Sequence, residues 1–129
     1  KVVSIFGEKI ETRISTADIL LIKTEENIEV HFVYVWYKRL FETVKTSSID
    51  LEAIGDIVAD KAYTIGKRGA WRDYVDLFFL LKKEFFSLEE IIGLADKKYK
   101  PEFSPRLFLE QLTYFGDIED FTISFLKES

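Results

Sequence analysis

Residues 56–81, DIVADKAYTIGKRGAWRDYVDLFFLL, place Lys61, the aspartates Asp73 and Asp76 and a basic, glycine-flanked turn on two consecutive helical patterns. At about 100° per residue, Ile54, Ile57, Val58 and Ile65 fall within one arc, the repeat of a helix buried on one side. Lys61 falls in the middle of that arc. A lysine among core positions either snorkels outward or faces a polar cleft that an anion can fill. Gly66 and Gly69 bracket Lys67 and Arg68, a composition that ends a helix and allows positive φ in a tight connection. The following run, Arg72 to Leu81, is apolar nearly all round, with Tyr74, Phe78 and Leu81 on one side, and predicts a helix covered on most faces. Asp73 and Asp76, at i and i+3, share a face at its start.

Each of these residues also has a purely structural reading. Asp73 suits a cap, because a carboxylate there accepts from an orphan backbone N–H and meets the positive end of the helix dipole. Lys61 reads equally as a snorkelling surface lysine, and Lys67, Arg68 and Arg72 as a solvated turn. Taken together, the cations and paired carboxylates of one helix–turn–helix make a cradle for a phosphorylated ligand.

Upstream of this stretch, residues 17–24 and 28–37 are rich in β-branched and aromatic residues around a polar Glu25-Glu26-Asn27 link, which predicts an antiparallel hairpin. Residues 1–6 and 10–14 are candidates for further short strands. In the second hairpin strand Ile28, Val30, Phe32 and Tyr34 share one face, and Glu29, His31, Val33 and Val35 the other. Downstream, Ser87-Leu88-Glu89-Glu90 is a capping-box pattern, and Ser104-Pro105 opens another helix. Asp117, Glu119 and Asp120 read as a solvated acidic loop, and residues 121–126 as an apolar tail able to dock. The expected architecture is α+β: a small antiparallel sheet, left open as incomplete, followed by a bundle of about four helices. The expectation is one domain over residues 1–129, with a strand-rich end over 1–40 and a helical part over 50–120.

Composition narrows the function classes. A net charge of −5 gives no general field favouring nucleic acid, so phosphate binding has to be local. The absence of cysteine excludes disulfides, thiolate catalysis and cysteine-ligated zinc. No apolar run approaches the ~20 residues of a membrane span, and the expectation is no membrane and a cytoplasmic location. The chain starts at Lys1 and contains no methionine, which reads as a processed chain or a fragment.

The helix–turn–helix resembles the C-terminal motifs of the AbiEii/AbiGii-type toxin nucleotidyltransferases, which run approximately D-I-x-x-x-K-x-x-A, a short basic turn, then R/K-D-[FY]-h-D-L-[FY]-h-L, with h apolar. The matching residues are Asp56, Ile57 and Lys61, then Arg72, Asp73, Tyr74, Asp76, Leu77, Phe78 and Leu80. Residues 28–33 with Tyr37-Lys38-Arg39-Leu40 look like the family's last strand and its "Y-K-x-L" segment. Lys97-Lys98-Tyr99 and Leu112-Thr113-Tyr114-Phe115-Gly116-Asp117 look like its "KKY" and "L-x-Y-F-x-D" stretches. The resemblance covers roughly residues 17–120 in order.

What the resemblance implies is transfer of a nucleotide from a nucleoside triphosphate, with Mg²⁺, to an acceptor such as RNA, in a toxin–antitoxin or abortive-infection setting with a cognate antitoxin protein. Lys61 and Asp73 would be the catalytic pair. Lys61, Arg68, Arg72 and Asp76 would contact the nucleotide. The superfamily's metal site uses a G-S motif, a D-x-D or D-x-E pair and a third carboxylate, since Mg²⁺ needs clustered oxygen ligands. No Gly-Ser pair and no D-x-D or D-x-E precedes the helices, and the usual third-carboxylate position looks like His31. A neutral imidazole is a poor Mg²⁺ ligand, so no metal residue is assigned, with Glu29 a weak substitute on the same face. His31 reads otherwise as a general base, a pH-sensitive group or a partly buried strand histidine. Two readings result. One is the nucleotide-contacting part of a toxin nucleotidyltransferase, inactive by itself. The other is a non-catalytic nucleotide-binding or protein-interaction module derived from that fold, with the Lys61 cluster as a structural ion-pair network. An unrelated all-helical binding protein ranks last, since it leaves the hairpin unexplained.

Overall fold

The computed structural model describes residues 10–124. The strand expected over 1–6, and the end of the tail at 125 and 126, lie outside the described residues. The fold is α+β, a three-stranded antiparallel sheet followed by four helices among the described residues. It divides into two compact units, the chain passing from one to the other between Trp36 and Tyr37.

In the first unit, β1 (Ile10–Ser15), β2 (Ile19–Thr24) and β3 (Glu29–Val33) form a meander with β2 in the centre. The predicted hairpin is β2–β3, in register from Ile19 opposite Val33 to Lys23 opposite Glu29. Its turn closes locally. Thr24 Oγ1 accepts from Ile28 N at 3.2 Å, and Asn27 takes φ 61°, a left-handed conformation that asparagine tolerates better than most residues. Strand β1 pairs with β2 through a register shift between Thr12 and Ile14. Ile22, in the middle of the central strand, is fully buried. The sequence pattern carries β3 to residue 37, but the strand ends at Val33 and leaves Tyr34, Val35 and Trp36 exposed. Among the described residues their β-propensity finds no ladder to join, and the Tyr34 N–H is bonded to Asp18 O at 2.7 Å.

The second unit is built on α1 (Ile54–Arg68), which packs against α2 (Trp71–Lys82), α3 (Leu88–Tyr99) and α4 (Pro105–Gln111). The core face of α1 is Val58, Ala59, Ala62 and Ile65, where two alanines let neighbouring helices come close. Leu77 from α2, Ile91 and Ala95 from α3 and Phe108 from α4 complete the core. Full burial of a side chain such as Phe108 stabilises by about 2–3 kcal/mol. The buried face is rotated away from the arc expected from the sequence, so that Ile54 and Ile57 stand at its edge and are exposed.

The basic turn also differs from expectation. Helix α1 continues through Gly66 to Arg68, and Gly69 has φ −72°, so neither glycine supplies a left-handed residue. Gly69 is needed for space. A Cβ there would lie 2.9 Å from Ile65 Cγ1 and 3.2 Å from the Tyr74 ring, the close approach that lets α2 start at once after α1.

Helix α2 is less covered than its composition suggests, since Phe78 and Phe79 are exposed. Tyr74, Phe78 and Leu81, which the helical step puts on one side, line an apolar cavity of about 520 Å³ with Leu112 and Phe115. The helix closes with Phe85 N–H donating to Leu80 O and Glu84 N–H to Leu81 O, the paired bonds of a Schellman cap. The left-handed position is Glu84, φ 57°, where a glycine is usual. Both predicted N-termini form. Ser87 Oγ accepts from Glu90 N while Glu90 accepts from Ser87 N, and Ser104 Oγ accepts from Leu107 N ahead of Pro105. Among the described residues no helix is long and apolar enough to cross a membrane.

Candidate functional site

Lys61 lies in the third turn of α1, and its ammonium reaches α2, with Nζ 2.7 Å from Asp73 Oδ1 and 2.9 Å from Asp76 Oδ2. The i, i+3 spacing at the start of α2 is what aims both carboxylates at one lysine. Asp73 divides its two oxygens, since Oδ2 accepts from Ala70 N–H at 3.0 Å and thereby caps α2 while Oδ1 holds Lys61. The cap and the cluster are one residue. Burial works against the Lys61 charge, but the hydrogen bonds and charges of Asp73 and Asp76 outweigh it and hold its pKa above the usual lysine value. Lys61 is fully cationic at neutral pH. Its side chain is 23% exposed and that of Asp76 56%, so one of the two partners stands largely in water.

Lys61 and Asp76 open on a cavity of about 350 Å³ between two helical stripes. From α1 come Ile54, Ile57 and Lys61, at i, i+3 and i+7. From α2 and its cap come Asp76, Phe79, Lys83 and Phe85. Lys83 supplies a second cation that reading the sequence missed, although the step from Asp76 through Leu80 to Lys83, i, i+4, i+7, puts it on the same stripe. Arg68 and Arg72 are not brought into this cavity. Arg68 lines a different one, of about 320 Å³, whose charged walls are Asp117, Glu119 and Asp120, an environment that disfavours phosphate. Arg72 is exposed.

In the first unit His31 is exposed, correcting the partly buried strand histidine expected for it, and its Nε2 stands 3.8 Å from Glu29 Oε2. Glu29 also faces Arg13 at 3.7 Å. Among the described residues no group of three or more histidine and acidic side chains is arranged to hold a metal ion, and Asp73 and Asp76 are both engaged by Lys61. These donors do not fit a resident Mg²⁺ site. The chemistry open to Lys61 and Lys83 beside them is anion binding.

A second lysine cluster was not foreseen. Lys98 of α3 is almost wholly buried, its side chain 1% exposed, with Nζ 2.9 Å from Asp56 Oδ1, 2.5 Å from Asp60 Oδ1 and 3.3 Å from Glu52 Oε1. Asp56 is fully buried, and its oxygens also accept from Leu40 N and Phe41 N at 2.9 Å each. Burial opposes its charge, but those amides and Lys98 hold its carboxyl below the ordinary aspartate value. Tyr99 donates to Asp60 at 2.6 Å and stacks on Tyr63 at 3.9 Å, while Tyr37 and Tyr63 both bond Glu102. The Tyr37–Leu40, Asp56–Lys61 and Lys97–Tyr99 stretches, far apart in the chain, thus meet in one network.

A curated relative, an uncharacterized protein of Aquifex aeolicus, is 32% identical to the chain over 98 residues, which cover 74% of this chain and 47% of that protein. The chain spans about half the length of the curated relative it matches. No family model matches it, and no solved structure matches significantly.

Proposed function

We propose that this chain is the nucleotide-contacting part of a nucleotidyltransferase-like protein of the toxin type, with Lys61 as the residue that takes the triphosphate. The observation that carries the reading is the Lys61–Asp73–Asp76 cluster at the mouth of a cavity that also holds Lys83. A lysine held cationic by a buried, helix-capping aspartate is a preorganised donor for phosphate oxygens, and it offsets charge that builds on a departing pyrophosphate. Asp73 positions Lys61. Asp76, mostly in water, is the partner that yields when a more highly charged anion arrives. Meeting of the Tyr37, Asp56 and Lys98 stretches supports the same reading, because residues quoted for the toxin-family resemblance then form one framework around α1. Mg²⁺ would arrive with the nucleotide, and the RNA acceptor and antitoxin rest on the resemblance alone.

The other reading, a non-catalytic nucleotide-binding or protein-interaction module, has one observation in its favour: Lys61 already has two carboxylate partners. Calorimetric titration of each nucleoside triphosphate, with and without Mg²⁺, into the chain and into Lys61→Ala separates a nucleotide site from a protein-interaction module, and transfer activity with Mg²⁺ separates a catalytic site from a nucleotide-binding one. The proposal expects binding that weakens by about 1–3 kcal/mol without Lys61, the scale of a charge-assisted hydrogen bond. Absence of binding to the unmodified chain would overturn it in favour of the module.

A further inference from the structure

The cavity beside Lys61 is not built for phosphate alone. Apart from Lys61, Lys83 and Asp76 its wall is apolar, and that wall is left open to water: Phe85 is 60% exposed and Phe79 40%. Ile54 and Ile57 add two more exposed apolar side chains from α1. Exposure of this kind costs stability unless something flat and apolar covers it. The presentation of Phe85 is itself costly, since it depends on Glu84 holding a left-handed conformation that disfavours side chains.

We infer that this cavity receives the base of the nucleotide against the ring of Phe85, with Phe79 behind it, while Lys61 and Lys83 take the phosphates. The inference rests on the triphosphate reading above and adds to it where the base goes. Charge complementarity favours this occupant once Asp76, 56% exposed, turns to water, because Lys61 and Lys83 then face the phosphates with Asp73 the one carboxylate still engaged. A volume of about 350 Å³ suits a small flat ligand, at the lower end of the ~300–1,000 Å³ found for ligand sites. Stacking on an aromatic ring tolerates any base, since every base has a π-face, so the site would bind purine and pyrimidine nucleotides alike.

The test is a set of titrations of ATP, UTP and inorganic tripolyphosphate into the full chain and into Phe85→Ala, Phe85→Leu and Phe85→Trp. The leucine variant keeps an apolar side chain after the cap, while removing the flat ring, so it stands in if the alanine variant does not fold. Affinity for ATP and UTP should fall roughly tenfold or more in Phe85→Leu. Tripolyphosphate should bind all variants as it binds the parent, and Phe85→Trp should restore nucleotide binding with quenching of the new indole. Equal loss for nucleotide and tripolyphosphate would overturn the inference and make Phe85 a structural residue. Unchanged nucleotide affinity in Phe85→Leu would overturn it while leaving the Lys61 reading standing. Failure of both nucleotide and tripolyphosphate to bind the parent chain would overturn the Lys61 reading, and this one with it.

Discussion

Replacing Lys98 with methionine should cost the helical unit about 3 kcal/mol at pH 7, by leaving three carboxylates around a vanished charge. Removing one member of a buried ion pair generally costs ~3–5 kcal/mol, because the partner stays buried and uncompensated. Here the three partners differ. Glu52 and Asp60 keep 36% and 34% of their side-chain surface and can turn to water, whereas Asp56 keeps none and cannot. Asp56 still holds the Leu40 and Phe41 amides, and methionine still fills the space of the lysine stem, so the lower end of the range applies. Urea unfolding followed by helical circular dichroism measures this, and the midpoint of thermal unfolding should drop by roughly 10 °C. The pH dependence has a definite sign. The Asp56 pKa is depressed in the folded parent, so its contribution is present above its unfolded value of ~3.9 and is lost as pH falls through the folded one. In Lys98→Met the Leu40 and Phe41 amides still depress it, but the bond and charge of Lys98 are gone while burial remains, so Asp56 takes up its proton at higher pH and the deficit against the parent shrinks in acid. Adding Asp56→Asn to Lys98→Met should likewise recover part of the loss. A cost under ~1 kcal/mol at pH 7, or a deficit that stays constant down to pH 4, would refute the assignment of a buried, charged pair.

Glu84→Gly should stabilise the chain by about 1 kcal/mol, because glycine takes φ 57° without the side-chain clash. The gain should appear in urea unfolding, and a loss instead would mean that Glu84 makes a contact that matters more than its backbone. On the alkaline side, Lys98 and Tyr99 are both raised in the folded chain. Burial opposes the lysine charge but Asp60 and Asp56 overcome it, while burial and the bond to Asp60 both raise Tyr99. Groups raised on folding contribute fully below their unfolded values, ~10.4 and ~10, and their contribution is lost as pH rises beyond them. Stability should therefore decline from about pH 10 upward, less steeply in Lys98→Met, and a flat profile to pH 11 in the parent would contradict the network.

Local chemistry was the legible part. The capping box at Ser87 and Glu90 and the Ser104-Pro105 start are set by residues three apart, and the β2–β3 hairpin by a polar link between β-rich runs. Asp73 and Asp76 were readable as a pair, and Lys61 as an anomaly on an apolar arc. That the anomaly and the pair meet is suggested in the sequence by the short turn between them alone. The rest depended on tertiary placement. Asp56 and Asp60, at i and i+4 on α1, signal a shared cation, but nothing local points to Lys98, about forty residues on in another helix. Leu40 and Phe41 donate through backbone amides, which have no sequence signature at all. Gly69 was misread because a glycine after a helix usually marks positive φ, and only the helix crossing shows that the missing Cβ is what counts.

The two lysine clusters use the same groups for opposite ends, and burial decides which is which. Around Lys98, itself 1% exposed, one cation meets three carboxylates, and the fully buried one, Asp56, is tied to two amides and cannot leave without stranding a charge. That arrangement fixes α1 against α3 and against the Tyr37–Phe41 segment, and it has no vacancy for a ligand. Around Lys61 one carboxylate is pinned by its cap and the other stands more than half in water, so Asp76 can swing to solvent at little cost while Asp73 keeps the ammonium aimed. A polyanion approaching from the cavity then displaces a weak, hydrated contact. On the proposed reading, the rigid cluster holds the framework that lets the loose one work. A lysine is available to a ligand only where one of its partners is free to go.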